Sequence, residues 1–203
     1  MKEVHFKSPN ILELIENIRS RGIHNFLISY FFFNNAVVSI FAFASMIAAF
    51  IFGLSESEIL FLGVLINFFG IIGCLVIGNV EDKIGSLNAV KICIVGLLIL
   101  TFILCFTKNY YSFWVIALLV GFFIGPIQAS SRSFLVQKIK TQNQMAAFSL
   151  YSMFGNLCSI LGPFLVGFTI QFTDSMRFGI IVIPIFLFLS LIPFLKLYFR
   201  FNV

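Results

Sequence analysis

Apolar residues in this chain fall into six long runs, and the polar residues between them fall into short clusters. The runs cover about 25–53, 59–77, 89–106, 113–128, 145–171 and 178–197. The fifth does not alternate with the period of two that a barrel strand facing lipid requires. Near ~20 residues per crossing, the pattern predicts an all-α polytopic membrane protein with six transmembrane helices. The first run exceeds what a crossing needs, which predicts tilt, a bend or extension beyond the bilayer. The fourth continues past Gln128 into less apolar sequence.

The polar island from Gly78 to Ser86 is the most informative break. Glu81, Asp82 and Lys83 are too costly to leave unpaired in hydrocarbon, so the island is expected as a tight hydrophilic turn at the interface. Gly78 and Gly85 bracket it, where a close approach or a helix stop needs glycine. Ser55 followed by Glu58 has the spacing of a capping box opening the second helix. Gly125–Pro126 and Gly162–Pro163 are expected to bend the fourth and fifth helices. Residues 1–24 read as an amphipathic cytoplasmic head on the bilayer surface, with the targeting signal retained, or as the remains of a linker to preceding helices.

Composition agrees with the pattern. Of 203 residues, 60% are hydrophobic and 10% charged, against roughly 25% charged in soluble domains. The net charge of +5 lies between the apolar runs and forms no long basic face, which excludes nucleic acid as a partner. Eleven basic residues fall on one side: Lys2, Lys7, Arg19, Arg21, Lys83, Lys91, Arg132, Lys138, Lys140, Lys196 and Arg200. Lys108 and Arg177 fall on the other, so the positive-inside rule predicts both termini in the cytoplasm. Lys91 is expected to snorkel, or to pair with Glu81 or Asp82. Asp174 and Arg177 are expected to pair across a short turn.

Chemistry is sparse. Cys74, Cys93, Cys105 and Cys158 form no CxxC pair and read as small buried hydrophobes, with no metal or other cofactor implied. The two histidines, His5 and His24, meet no carboxylate or serine in a catalytic spacing, and the acidic residues lie in the head, turns and loops. An enzyme is therefore not expected. What remains is a set of polar residues within the runs: Asn34, Asn35, Asn67, Gln128 and Asn156. Each either glues helices together or lines a solute path. Arg132, at a helix end, is either a cytoplasmic anchor or a group that recognises anions or closes a gate.

Gly78-x-x-x-Asp82-Lys83-x-Gly85 resembles the signature loop of the major facilitator superfamily, between the second and third helices of a six-helix half. Three further stretches resemble the superfamily branch that holds fungal vacuolar amino-acid exporters linked to autophagy and their bacterial homologues. These are Ser29 to Ala36, Gln128-Ala129-Ser130-Ser131-Arg132-Ser133, and Phe148-x-x-Tyr151-x-x-x-Gly155 followed by Gly162-Pro163. The resemblance covers about Phe26 to Phe199 and corresponds to the C-terminal half of a family member. Departures are Ser86 and Leu87 where the motif continues with basic residues, Asn35 for an aspartate, Ala36 for a glycine, and Asn156 for a lysine.

The resemblance implies a secondary transporter half in a bacterial inner membrane, moving small polar solutes with amino acids as the substrate class. It would work by alternating access with a second half, either a separately encoded N-terminal half or another copy of this chain. Asn34, Asn35, Asn67, Gln128 and Asn156 would line the path. Asp82 and Lys83, with Gly78, Gly85 and Arg132, would form the gate. The alternative is a truncated remnant or a membrane-embedded accessory or assembly protein without transport of its own.

Overall fold

The computed structural model describes residues 23–139 and 144–202. Residues 1–22 of the predicted head, Lys140 and the side chain of Arg200 lie outside the described residues, while Ile23 and His24 of that head already belong to the first helix. Among the described residues six helices follow one another: α1 Ile23–Phe52, α2 Glu56–Ile84, α3 Ser86–Phe106, α4 Tyr110–Lys138, α5 Gln144–Thr173 and α6 Met176–Asn202. All six are long and apolar enough to cross a membrane.

Several ends differ from the sequence reading. The polar island is not a loop: α2 continues through Gly78, Glu81, Asp82 and Lys83 to Ile84, and only Gly85 leaves the helix, with φ 86°. The physical reason is local. Glu and Lys are good helix formers, and a corner between two helices needs just one left-handed residue. Likewise α4 runs on through Pro126 to Lys138, ten residues past the expected end of its span at Gln128, and α5 is continuous through Pro163. At the start of α2 the capping box forms, with the Ser55 amide donating to Glu58 Oε2 at 2.7 Å. Tyr110 at the start of α4 donates to the other oxygen of the same carboxylate at 2.5 Å, which ties the two helix starts together.

Helices α1, α5 and α6 form one layer and α2, α3 and α4 the other, with α3 against α6 and α1 against α4 joining them. Phe26 and Phe33 of α1, Phe134 of α4 and Phe194 of α6 are fully enclosed, and Phe26 and Phe134 meet with ring centroids 4.5 Å apart. The α2–α4 crossing is closer than side chains allow. A Cβ at Gly73 would lie 1.9 Å from the Phe122 carbonyl oxygen, one at Gly121 2.8 Å from the Ile66 carbonyl oxygen, and one at Gly125 3.0 Å from that of Gly70. Backbone-to-backbone approach of this kind replaces the hydrophobic driving force that helices lack in lipid.

Burial is uneven. In their most apolar windows α2 and α5 are 11% and 17% buried, against 33–44% for the other four. The outward faces also differ in chemistry. Those of α3 and α6 are apolar along the membrane, down to Lys196 near the end of α6, whereas α2 presents Asn67 and α5 presents Ser152, Asn156 and Ser159. Many of the phenylalanines are accounted for by these outward faces, with Phe61, Phe68, Phe102, Phe164 and Phe188 all more than half exposed.

Candidate functional site

Three helices bring polar side chains to one level inside the bundle. On α1, Tyr30 and Asn34 are one helical turn apart and face α4 and α5. Gln128 of α4 reaches Asn34 in a long contact, Nε2 to Oδ1 at 3.5 Å. Ser131, one turn further, hydrogen-bonds the Gln128 carbonyl and the Tyr151 hydroxyl, each at 3.0 Å. Tyr151 of α5 stacks on Tyr30 with centroids 3.8 Å apart and planes 23° from parallel. A Cβ at Gly155 would come within 2.9 Å of the Tyr30 hydroxyl oxygen, so glycine there makes room for the tyrosine. Polar groups in hydrocarbon find partners inside the protein or face a wet cavity. This set does the first through its tyrosines and serine, and leaves the Gln128 side chain half-buried.

Asn35 belongs to a neighbouring seam. It is fully buried, its amide donating to the Phe31 carbonyl at 2.7 Å and the Cys158 sulfur at 3.1 Å. Its Oδ1 and the Ser39 hydroxyl oxygen find no hydrogen-bond partner among the described residues, and both lie against Gly162 of α5. Asn35 therefore packs α1 on α5 in this conformation and is closed to any path. Gly162 and Gly125 likewise mark close helix approach: a Cβ at Gly162 would sit 2.7 Å from the Asn35 carbonyl oxygen.

The remaining candidates are dispersed. Asn67 bonds back to the Gly63 carbonyl at 2.8 Å and lines a separate groove of about 340 Å³ with Phe41, Cys74 and Gly125. Asn156 and Arg132 are exposed on α5 and α4. Asp82 and Lys83 point outward at the end of α2; Glu81 is the island residue that reaches into the bundle, accepting from Ser130 Oγ at 2.5 Å. Ser86 donates to Gln137 Oε1 at 3.0 Å, so the α2–α3 corner is tied to α4 at two levels. Lys91 pairs with neither carboxylate; its ammonium sits 4.1 Å from the centroid of the Tyr198 ring. Arg177 donates to the Thr107 carbonyl at 3.2 Å and not to Asp174. Cys74 is exposed, unlike the buried Cys93 and Cys158.

Tyr30, Tyr151 and Glu81 stand at the centre of these contacts without having been singled out as site residues. The signal for the tyrosines was present: they are hydroxyl-bearing rings in spans that otherwise use phenylalanine, 5 Tyr against 29 Phe in the whole chain. For Glu81 it was its spacing, one turn after Ile77 and two after Gly73, both buried.

Six apolar helices around a buried polar seam define an all-α polytopic membrane protein. The family described as vacuole effluxer Atg22 like matches residues 10–200, and the chain belongs to that family. That description is of an effluxer, and the relatives similar to the chain include transporters of the major facilitator kind, which are not enzymes. An uncharacterized MFS-type transporter, YxiO of Bacillus subtilis, is 26% identical over 76% of this chain and 36% of its own length. Autophagy-related protein 22 of Yarrowia lipolytica is 26% identical over 82% of this chain and 31% of its own. The proton-coupled antiporter flippase LtaA of Staphylococcus aureus is 28% identical over 39% of this chain and 20% of its own. The chain thus spans about a third of the length of the YxiO and autophagy-related relatives.

Proposed function

We propose that this bundle is the C-terminal half of a secondary transporter for small polar solutes, with amino acids as the substrate class. In this reading it rocks against a second six-helix half and exposes a central site alternately to the two sides. One observation carries the proposal. The polar cluster of Asn34, Gln128, Ser131 and the two tyrosines lies within the spans, where amides and hydroxyls are retained for a reason.

The uneven burial supports the same reading. The outward faces of α2 and α5, with Asn67 and Asn156, are the ones a second half would cover, and the path would run between them and the cluster. The second half is a separately encoded N-terminal half or a second copy of this chain. Both termini lie in the cytoplasm of a bacterial inner membrane, and Asp82, Lys83 and Arg132, with Gly78 and Gly85, form the cytoplasmic gate. The Asn35 amide does not titrate in the range that proton coupling uses, so any proton coupling runs through other groups.

Flux tests the proposal. The chain is expressed in membranes alone and beside a six-helix partner, with labelled amino-acid uptake and mild-detergent co-purification. Stable association with flux in the pair alone supports the proposal, and Arg132→Ala then lowers that flux. An Asn156→Cys variant reports on the path: a membrane-impermeant maleimide reacts with it in membranes if α5 faces water. Association without flux for any small polar solute, or a cysteine at 156 that stays fully protected, overturns the reading.

A further inference from the structure

The α3–α6 seam lies apart from the polar cluster and carries a different chemistry. Between the two helices runs an open groove of about 490 Å³, within the roughly 300–1,000 Å³ of small-molecule sites. Leu98, Phe102 and Ile103 line it from α3, and Ile181, Pro184 and Phe188 from α6. No polar side chain lines it, and it opens sideways: Phe102 and Phe188 are more than half exposed. A groove of this kind within membrane spans admits hydrocarbon and nothing polar.

Its upper mouth is charged. Arg177 is the second residue of α6, and its guanidinium reaches across to the Thr107 carbonyl just past the end of α3, so the cation sits over the seam. Lys108 follows Thr107 directly and is exposed. Among the described residues these two are the basic ones at the bundle end opposite the Gly85 corner, and both stand at this one mouth. Only one of the five guanidinium N–H groups of Arg177 is engaged by a described residue, and the nearby Asp174 makes no ion pair with it. The spacing runs in register. Ile181, Pro184 and Phe188 follow Arg177 at four, seven and eleven residues, which puts all four on one stripe of α6. At 1.5 Å per residue the groove begins ~6 Å below the arginine and continues to ~16 Å or more, the order in which a phospholipid presents its phosphate and its chain.

We propose that this seam binds an anionic glycerophospholipid, with one acyl chain in the α3–α6 groove and the phosphate held by Arg177 with Lys108 at the rim. The two cations set the preference for an anionic headgroup over a zwitterionic one, and the groove sets the position of the chain. The proposal does not depend on what the bundle transports, because none of these residues belongs to the polar cluster.

Tryptophan quenching by brominated lipid tests it in the full chain. Trp114, which does not line the groove, is replaced by Phe, and Phe188→Trp places the reporter on the groove wall. Reconstituted vesicles contain phosphatidylglycerol or phosphatidylcholine carrying bromine at mid-chain. Half-quenching is expected at about a fivefold lower mole fraction of the anionic lipid, the effect of one basic group near the surface. The preference is lost in Arg177→Gln and kept in Arg177→Lys; inorganic phosphate leaves it unchanged. If Arg177→Gln does not fold, Lys108→Gln and 0.5 M salt decide, each lowering the preference. Superimposable quenching curves for the two lipids in the parent protein, as ordinary annular lipid gives, overturn the proposal. So does a preference that survives both the neutral variants and salt.

Discussion

The rings of Tyr30 and Tyr151 lie face to face across the α1–α5 boundary, and the hydroxyl of Tyr151 hydrogen-bonds Ser131 of α4. One side chain thus links three helices in two ways, by stacking and by a hydrogen bond. Tyr151→Phe keeps the ring and removes the bond, an expected loss of about 1 kcal/mol in stability. Tyr151→Leu also removes the stack, adding about 1 kcal/mol. Melting of the detergent-solubilised protein, followed by size exclusion, should rank the parent above Phe and Phe above Leu. Equal melting of the two variants would show that the stack contributes nothing.

Gly73 and Gly78 lie on the same helix and should respond to alanine in opposite directions. A Cβ at Gly73 would collide with the Phe122 backbone, which cannot yield as a side-chain tip does. Overpacking of this kind costs about 1–3 kcal/mol. At Gly78 nothing lies within 4 Å, so Gly78→Ala gains about 0.5–1 kcal/mol from helix propensity alone. The check is the fraction that stays monodisperse in mild detergent on heating: lower than the parent for Gly73→Ala, equal or higher for Gly78→Ala.

The contrast also shows what was legible beforehand. Six helices could be read from the apolar runs because hydrocarbon imposes their length. By residue type Gly73 and Gly78 are the same; that Gly73 meets Phe122, and that Gly78 meets nothing within 4 Å, depends on where α4 crosses. The island departs from the turn expected of it for a related reason. Its charges marked the end of the hydrocarbon, and the end of the hydrocarbon is not the end of the helix. Asn34 and Asn35 are adjacent and chemically alike, yet their side chains point about 100° apart on the helix. One meets Gln128 and the other is sealed against Cys158 and Gly162. Residue type predicted that each would need a partner, and only packing could say which.

Lys91 is held by an aromatic face and not by a carboxylate. Its ammonium over the Tyr198 ring joins the island end of α3 to the last turns of α6. Tyr198→Leu should lower stability by about 0.5–1 kcal/mol, and Lys91→Met should cost little more once Tyr198 is already Leu. A double-mutant cycle on the melting midpoint measures this coupling. Additive losses would mean that the two side chains act independently.

Ser130 and Glu81 make the contact that fastens the end of α2 to α4. Ser130 is buried, so removing its hydroxyl leaves the carboxylate facing a methyl group in a site shaped for a donor. Ser130→Ala is expected to cost about 1–3 kcal/mol, since a hydrogen bond to a charged group is lost and its acceptor is left unmatched. Glu81→Gln keeps an oxygen able to accept from Ser130 and should cost less than Glu81→Leu. Asp82→Asn, at an exposed position one residue on, should leave stability unchanged. The same variants separate holding from gating in the assembled transporter. If the contact must open during the cycle, Ser130→Ala lowers stability yet leaves solute flux equal or faster. If it stays closed throughout, flux falls in parallel with the amount of folded protein.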